Sequence, residues 1–245
     1  MLEKDTAICI KTVDYSETSQ IVTFFTKDNG KVSAIAKGSK RLKSPFDGTI
    51  EMLSLGNIIF SDPNKENLAT LTEFEQKHEL SALATNSFNL NCCFFAAELI
   101  NKLTDEHDPY PDLFESFLTF LRNLTGLKEK EDSLRFLIIF QLNLLKEIGL
   151  QPVLNSCSNC KNSFNTSWTE SYFSSSANGI ICKDCEAGFT DKINLTVKAT
   201  NCLANLNTLG NADENTLRHI EKILVYHFTE LLRTPPKMAK YILKL

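Results

Sequence analysis

The sequence predicts an α+β chain: a small antiparallel β-barrel first, then a helical domain interrupted by a short cysteine-bearing insertion. Three observations predict it. Residues 1–76 hold short β-branched and aromatic runs between turn signals. Residues 77–150 and about 193–232 instead repeat apolar residues every three or four positions. Between those helical stretches, residues 151–190 carry Pro152, many Ser and Asn, and two Cys-x-x-Cys pairs. The expected domains are 1–76 for the barrel and 77–245 for the helical part, with 151–190 inserted into it.

In the first part, Thr6–Val13 places Ala7, Cys9 and Lys11 on one face and Ile8, Ile10 and Thr12 on the other. Gln20–Thr26 is β-branched and aromatic, Asp28-Asn29-Gly30 signals a tight turn, and Lys31–Ala36 follows at once, so 20–36 reads as a hairpin. Gly38–Gly48 is a polar, basic loop containing Pro45. Asn57–Ser61 and Leu68–Phe74 are further strands around the turn Asp62-Pro63-Asn64. About five strands without a long intervening helix suit a small antiparallel barrel.

The period then changes. Leu80, Leu83, Phe94, Ala97, Ile100 and Leu103 recur at helical spacing. Leu113, Phe117, Leu121 and Leu124 do so after Pro111, which suits a first helical turn. A third stripe runs from Leu134 to Ile148, and Gly149 is a natural stop. Helical spacing resumes at about 193–208 and again at 214–232, and Pro235-Pro236 ends the last helix. These stripes read as packing faces.

Composition narrows the function. The chain has 245 residues, 42% hydrophobic and 23% charged, which excludes wholesale disorder. A chain of this length buries a core without needing disulfides. The longest apolar runs, such as Cys92–Ala97 and Phe136–Phe140, are far shorter than the ~20 residues of a membrane span. The start, MLEKDTAICI, lacks a secretory pattern, so a reducing cytoplasm is expected and cysteines there stay reduced. Cys9, Cys92, Cys93 and Cys202 read as small core residues.

The net charge of −4 conceals segregation. Residues 31–46 hold Lys31, Lys37, Lys40, Arg41 and Lys43 and no acid. Residues 231–245 hold Arg233, Lys237, Lys240 and Lys244, again without an acid, whereas 98–132 has nine acids against four bases. Segregated charge creates local fields that a net count misses.

Cys157-Ser158-Asn159-Cys160 and Cys182-Lys183-Asp184-Cys185 are separated by 21 residues. Two residues between ligands let both sulfurs of a turn face one ion, and four thiolates close a tetrahedral shell. One structural Zn²⁺ is the expectation, with Trp168, Tyr172, Phe173 and Gly179 forming a small hairpin between the pairs. A redox pair or inert thiols are the alternatives. A zinc deaminase needs His-x-Glu upstream of Pro-Cys-x-x-Cys, but Ser156 precedes Cys157 and His219-Ile220-Glu221 lies downstream. No GxGxxG, GxxxxGK[ST], HExxH or GxSxG is present. His227 on an apolar face reads as a core residue, and His78, His107 and His219 as solvent-facing. Asp14 and Glu17 read as turn residues that cap and solubilise.

The run Lys37-Gly38-Ser39-Lys40-Arg41-Leu42-Lys43-Ser44 reads either as a solvated loop or as a phosphate-tracking strip. Small barrels of the OB type bind single strands through a cationic groove and aromatic stackers. Tyr15, Phe24, Phe25 and Phe46 are the candidate stackers, with strand alternation burying one of Phe24 and Phe25.

The segment from Val13 to Thr26, VDYSETSQIVTFFT, resembles the opening of the bacterial RecO recombination mediator family. Gly30–Gly38 followed by a basic stretch, Leu53-Ser54-Leu55-Gly56, Leu68–Glu73, the Cys-x-x-Cys pairs and the basic tail continue the resemblance in order. It implies an N-terminal OB fold, a helical C-terminal domain and a zinc-binding insertion. It implies a non-enzymatic mediator that binds single- and double-stranded DNA, anneals complementary strands, and helps load RecA onto DNA covered by single-stranded DNA-binding protein. RecR and the C-terminal tail of single-stranded DNA-binding protein are the implied partners, with a cytoplasmic, nucleoid-associated location and no membrane. Loop and tail here are Lys-rich, with Arg41 and Arg233 their only arginines, which favours point-charge contacts over bidentate clamps. Lys31, Lys37, Lys40, Arg41 and Lys43 are the expected phosphate contacts, with Arg233, Lys237 and Lys240 as a second strip. The alternative is a zinc-stabilised protein-interaction scaffold with weak or no DNA binding, and a hydrolase is the weakest option.

Overall fold

The computed structural model describes residues 2–41, 44–46, 48–62, 68–165 and 168–243. The chain divides into two compact units, residues 1–126 and 127–245.

The first unit is built on β1 (Leu2–Asp14), β2 (Gln20–Thr26), β3 (Lys31–Ala36), β4 (Leu55–Ser61) and β5 (Ala69–Lys77). They form a closed, OB-like barrel in the order β1-β2-β3-β5-β4. Strand β1 serves two neighbours: Leu2–Ile8 pairs with β4, and Ala7–Asp14 pairs with β2. A register shift between Cys9 and Lys11 lets one strand bend around the barrel to do so. The β2–β3 hairpin falls where the turn signal puts it. One ladder departs from the antiparallel expectation: β3 and β5 run parallel, pairing Ala34 with Ala69 and Ile35 with Thr70. Pro63 and Asn64 of the expected turn lie outside the described residues.

The barrel interior is filled by residues such as Cys9, Val22, Phe24, Ile58, Phe60 and Phe74, with the Phe24 and Phe74 rings 5.7 Å apart. The outer face is covered as well. Helix α1 (Ser87–Leu103) packs on β1, and Phe25 lies 6.0 Å from Phe114 of α2 (Pro111–Leu124). Thus Ala7 to Ile10 are all buried, because both faces of β1 have a neighbour. Asn86 caps α1 by accepting from the Phe88 and Asn89 amides, and Pro111 starts α2 as expected. Gly30, with φ +68°, has no room for a side chain: a Cβ there would lie 2.2 Å from the Asp108 carbonyl oxygen. The chain between α1 and α2 therefore passes directly over the β2–β3 turn, where the His107 amide donates to the Lys31 carbonyl at 2.9 Å.

The second unit contains α3 (Lys130–Glu147), the strands β6 (Ser171–Ser174), β7 (Gly179–Cys182) and β8 (Lys192–Leu195), then α4 (Val197–Ala204), α5 (Glu214–Leu232) and α6 (Ala239–Leu243). The sheet order is β7-β6-β8. The expected helical stretch at 193–208 is corrected. Lys192–Leu195 is a strand beside β6, Thr196 caps α4, and Leu206–Asn211 is a 3-10 turn. Three residues are too few to separate a period of two from one of 3.6. Gly149, with φ +76°, follows α3 as expected.

Helices α3 and α5 pack together across a buried polar pair, the Gln141 Nε2 donating to Glu221 Oε1 at 2.9 Å. The other oxygens, Glu221 Oε2 and Gln141 Oε1, have no partner. Burial pushes the Glu221 carboxyl up to about 7, against the opposing effect of the Gln141 bond. A proton on Glu221 therefore spares the core a charge. Between its ordinary value near 4.5 and about 7, the folded chain holds a proton that the unfolded chain has lost. Stability consequently declines as pH rises through that window and levels off above it. Glu221→Gln should remove this part of the pH dependence. Urea titrations at pH 5 and pH 8 check it, and an equal decline in both proteins would refute it.

Candidate nucleic-acid interface and metal centre

The four cysteines of the two Cys-x-x-Cys pairs converge. Cys157 and Cys160 lie in a tight turn closed by Lys161, which adopts φ +63° and donates its amide to the Cys157 carbonyl at 3.0 Å. Cys182 ends β7, and Cys185 lies on the 3-10 turn Lys183–Gly188. The Ser158 amide bonds the Ile180 carbonyl at 2.7 Å, which docks the first turn against β7. Gly179 permits a further close approach, since a Cβ there would meet the Val153 carbonyl oxygen at 2.3 Å.

All four Sγ atoms lie within 4.8 Å of one another, and Cys160 and Cys182 are 3.8 Å apart. Thiolates bound at about 2.3 Å around one ion form a tetrahedron with edges of about 3.8 Å. The donor set thus fits a single metal ion. The surroundings favour sulfur as an acceptor: the Cys182 amide donates to Cys157 Sγ at 3.4 Å, and Asn159 Nδ2 to Cys185 Sγ at 3.3 Å. Burial raises the Cys157 thiol, but backbone amides of Cys182, Cys160 and Asn159 outweigh it and bring it to about 7. Cys182 is pushed up to about 12, chiefly by burial. Asn159, whose part the sequence reading missed, carried no signal beyond its place between two cysteines. Around the cluster, Ile181, Trp168, Tyr172 and Phe189 form only a small apolar core. Cys9, Cys92, Cys93 and Cys202 are buried elsewhere.

So small an apolar core would leave the insertion dependent on an ion held by these four cysteines. Cys157→Ser should lose the ion and melt residues 151–190 early, whereas Cys93→Ser should keep it. Elemental analysis and hydrogen exchange read both effects, and full metal content in Cys157→Ser would contradict the assignment.

The basic residues separate into different roles. Lys31 is corrected: it is only 8% exposed, and its Nζ donates to the carbonyls of Thr104 at 2.6 Å and Asn101 at 2.9 Å. It closes the C-terminal end of α1, where carbonyls lack helical partners. Burial lowers its pKa, opposed by Glu106 and Asp105. Lys37 and Arg41 are exposed. Lys40 is half-buried and pairs with Asp14 Oδ1 at 2.5 Å, while its amide bonds the Thr18 carbonyl at 3.1 Å. Asp14 therefore holds the loop as well as ending its strand. Lys43 lies outside the described residues.

Three of the candidate stackers are corrected too. Phe24 and Phe46 fill the barrel and Phe25 lies under α2, all buried. Tyr15 is 62% exposed in the β1–β2 turn, on the residue after Asp14.

In the second unit, Arg233 caps α5 with φ +56° and is exposed, as are Lys237 and Lys240. The Lys240 ammonium sits 4.9 Å from the Tyr241 ring centre. His227 is buried as expected: Nδ1 lies 2.8 Å from Ser175 Oγ, Nε2 has no partner, and burial lowers the ring to about 4. His107 is not simply solvent-facing, because it pairs with the buried Asp62 at 3.2 Å.

An OB-like barrel bearing an exposed basic loop, a helical region and a four-cysteine cluster define a class of barrel-and-helix proteins with room for one metal ion. The comparisons make the class specific. The family model "Recombination protein O N terminal" matches residues 1–79, and "Recombination protein O C terminal" matches residues 84–239. The DNA repair protein RecO of Rhodopirellula baltica is 33% identical over 179 residues, 73% of this chain and 65% of that protein. Those of Bacillus pumilus and Bacillus subtilis are each 29% identical, over 99% and 94% of this chain and 94% and 89% of their own lengths. The chain belongs to the RecO family, and a role in DNA repair and recombination follows from that membership. Among the described residues no helix is long and apolar enough to cross a membrane.

Proposed function

We propose that this chain is a mediator that binds single- and double-stranded DNA, anneals complementary strands, and helps load RecA onto DNA covered by single-stranded DNA-binding protein. The observation that carries the reading is the basic loop on an OB-like barrel, with Lys37 and Arg41 exposed and Tyr15 exposed near Lys40. Cations on such a loop neutralise phosphates without reading bases, and an exposed ring stacks on an unpaired one. Annealing requires two backbones to approach. Neutralising their charge lowers that barrier without nucleotide hydrolysis, so no covalent catalysis is needed. Arg233, Lys237 and Lys240 are the second strip. The metal is zinc, one ion on Cys157, Cys160, Cys182 and Cys185; four thiolates leave no position for a reacting water, so its role is structural. The protein works in the cytoplasm, on the nucleoid.

The scaffold alternative draws support from Lys31, which serves α1, and Lys40, which is paired with Asp14. Salt dependence separates the two. Contacts from Lys37, Lys40, Arg41 and Lys43 to about four phosphates give a slope of log affinity on log salt near −3 for single strands. Replacing Lys40, Arg41 and Lys43 by Ala should flatten it by roughly 2 units and impair annealing. Lys31→Met should lower the melting temperature and keep the slope. A wild-type slope in the triple variant moves the site to Arg233, Lys237 and Lys240.

RecR and the C-terminal tail of single-stranded DNA-binding protein are the proposed partners. An apolar pocket beside a Lys or Arg suits an acidic tail ending in an apolar residue, the cation pairing with its carboxylate. Calorimetry with the tail peptide should show salt-sensitive binding; no heat at any salt concentration would remove this partner.

A further inference from the structure

The basic loop leaves and returns at one place. Its first residues are tied to the start of β2: the Gly38 amide donates to Ser19 Oγ at 3.2 Å, and the Lys40 amide to the Thr18 carbonyl at 3.1 Å. Its far end is tied to the same point by Gln20, the first residue of β2, only 3% exposed. The Gln20 Nε2 donates to the Ile50 carbonyl at 3.2 Å, and Oε1 accepts from the Ile50 amide at 3.1 Å. The same oxygen accepts from Ser39 Oγ at 3.0 Å. Ile50 needs both an acceptor and a donor, so the orientation of the amide is determined by its partners.

One side chain thus does for Ile50 what a neighbouring strand would do, and it holds Ser39 with the same atoms. Ile50 and Ser39 are themselves buried, Ile50 within the barrel core, so water is a poor replacement for these bonds. The span between the two anchored ends carries Lys40 and Arg41.

We propose that Gln20 is a positioning residue for nucleic-acid binding: it ties Ser39 and Ile50, on either side of the basic loop, to β2, so that Lys40 and Arg41 meet the phosphate backbone already ordered. The inference rests on the reading of that loop as the DNA site. Its physical content differs from that of the cations themselves. Removing a cation removes a phosphate contact and changes the salt slope. Removing the anchor leaves every charge in place but makes binding supply the order that folding no longer supplies.

The test compares single-strand affinity across salt for Gln20→Leu, Ser39→Ala and the Lys40, Arg41, Lys43 triple alanine variant, using full-length protein well below its melting temperature. Gln20→Leu should lie parallel to wild type, about tenfold weaker at every salt concentration. Ser39→Ala, which removes one bond of three, should fall between them with the same slope. The triple variant should change slope. Protease cleavage between residues 40 and 49 should be faster in Gln20→Leu than in wild type, a local effect that general destabilisation does not confine to this loop. Wild-type affinity in folded Gln20→Leu would falsify the proposal, and so would a flattened slope, since charges would then have been lost and not merely loosened. If Gln20→Leu does not fold, wild-type affinity in Ser39→Ala has the same force. An unchanged line in the triple variant refutes the loop as the DNA site, whatever Gln20→Leu does.

Discussion

Five strands arranged in a ring cannot all run opposite to their neighbours, because alternation around an odd number fails once. In this barrel the failure is the short parallel ladder between β3 and β5. Everything else in the first unit accommodates it. A parallel pair needs a crossover, and the chain between β3 and β5 supplies one through the basic loop and β4. Closure leaves no edge strand to pair with another molecule. It also requires strands to bend, and irregularities at Cys9/Lys11 and Ile59/Phe60 lie in two of the antiparallel ladders.

A second theme is the use of side chains to satisfy backbone that no helix or strand partners. Lys31 closes the carbonyls at the end of α1, and Gln20 stands in for a strand beside Ile50. Each is buried, and each joins segments far apart in sequence. A bond between two side chains, His227 and Ser175, ties α5 to the turn between β6 and β7. Buried polar groups of this kind are costly when left unpaired, so they specify one arrangement over its alternatives.

The same logic sorts the basic residues. A cation that serves the fold loses solvent, gains carbonyl or carboxylate partners, and is withdrawn from any ligand. Lys31 is withdrawn fully and Lys40 in part, while Lys37 and Arg41 keep their exposure. A lysine tally along the sequence therefore overstates the charge offered to a polyanion.

The sequence by itself determined the elements whose cause is local. The Asp28-Asn29-Gly30 turn set the β2–β3 hairpin, Pro111 and Gly149 marked helix ends, and each Cys-x-x-Cys spacing placed two sulfurs in one turn, Cys157 with Cys160 and Cys182 with Cys185. Each follows from backbone preference or ligand reach within a few residues. Tertiary structure decided what depends on contacts distant in sequence. Whether Phe24 and Phe25 stack on a base or fill a core was settled by Phe74 on β5 and Phe114 on α2. That Lys31 is a helix cap was settled by Thr104, 73 residues away, and that 192–195 is a strand was settled by β6. A residue's own pattern records its preference for burial or charge, but the neighbour that satisfies it is chosen only when the chain closes on itself.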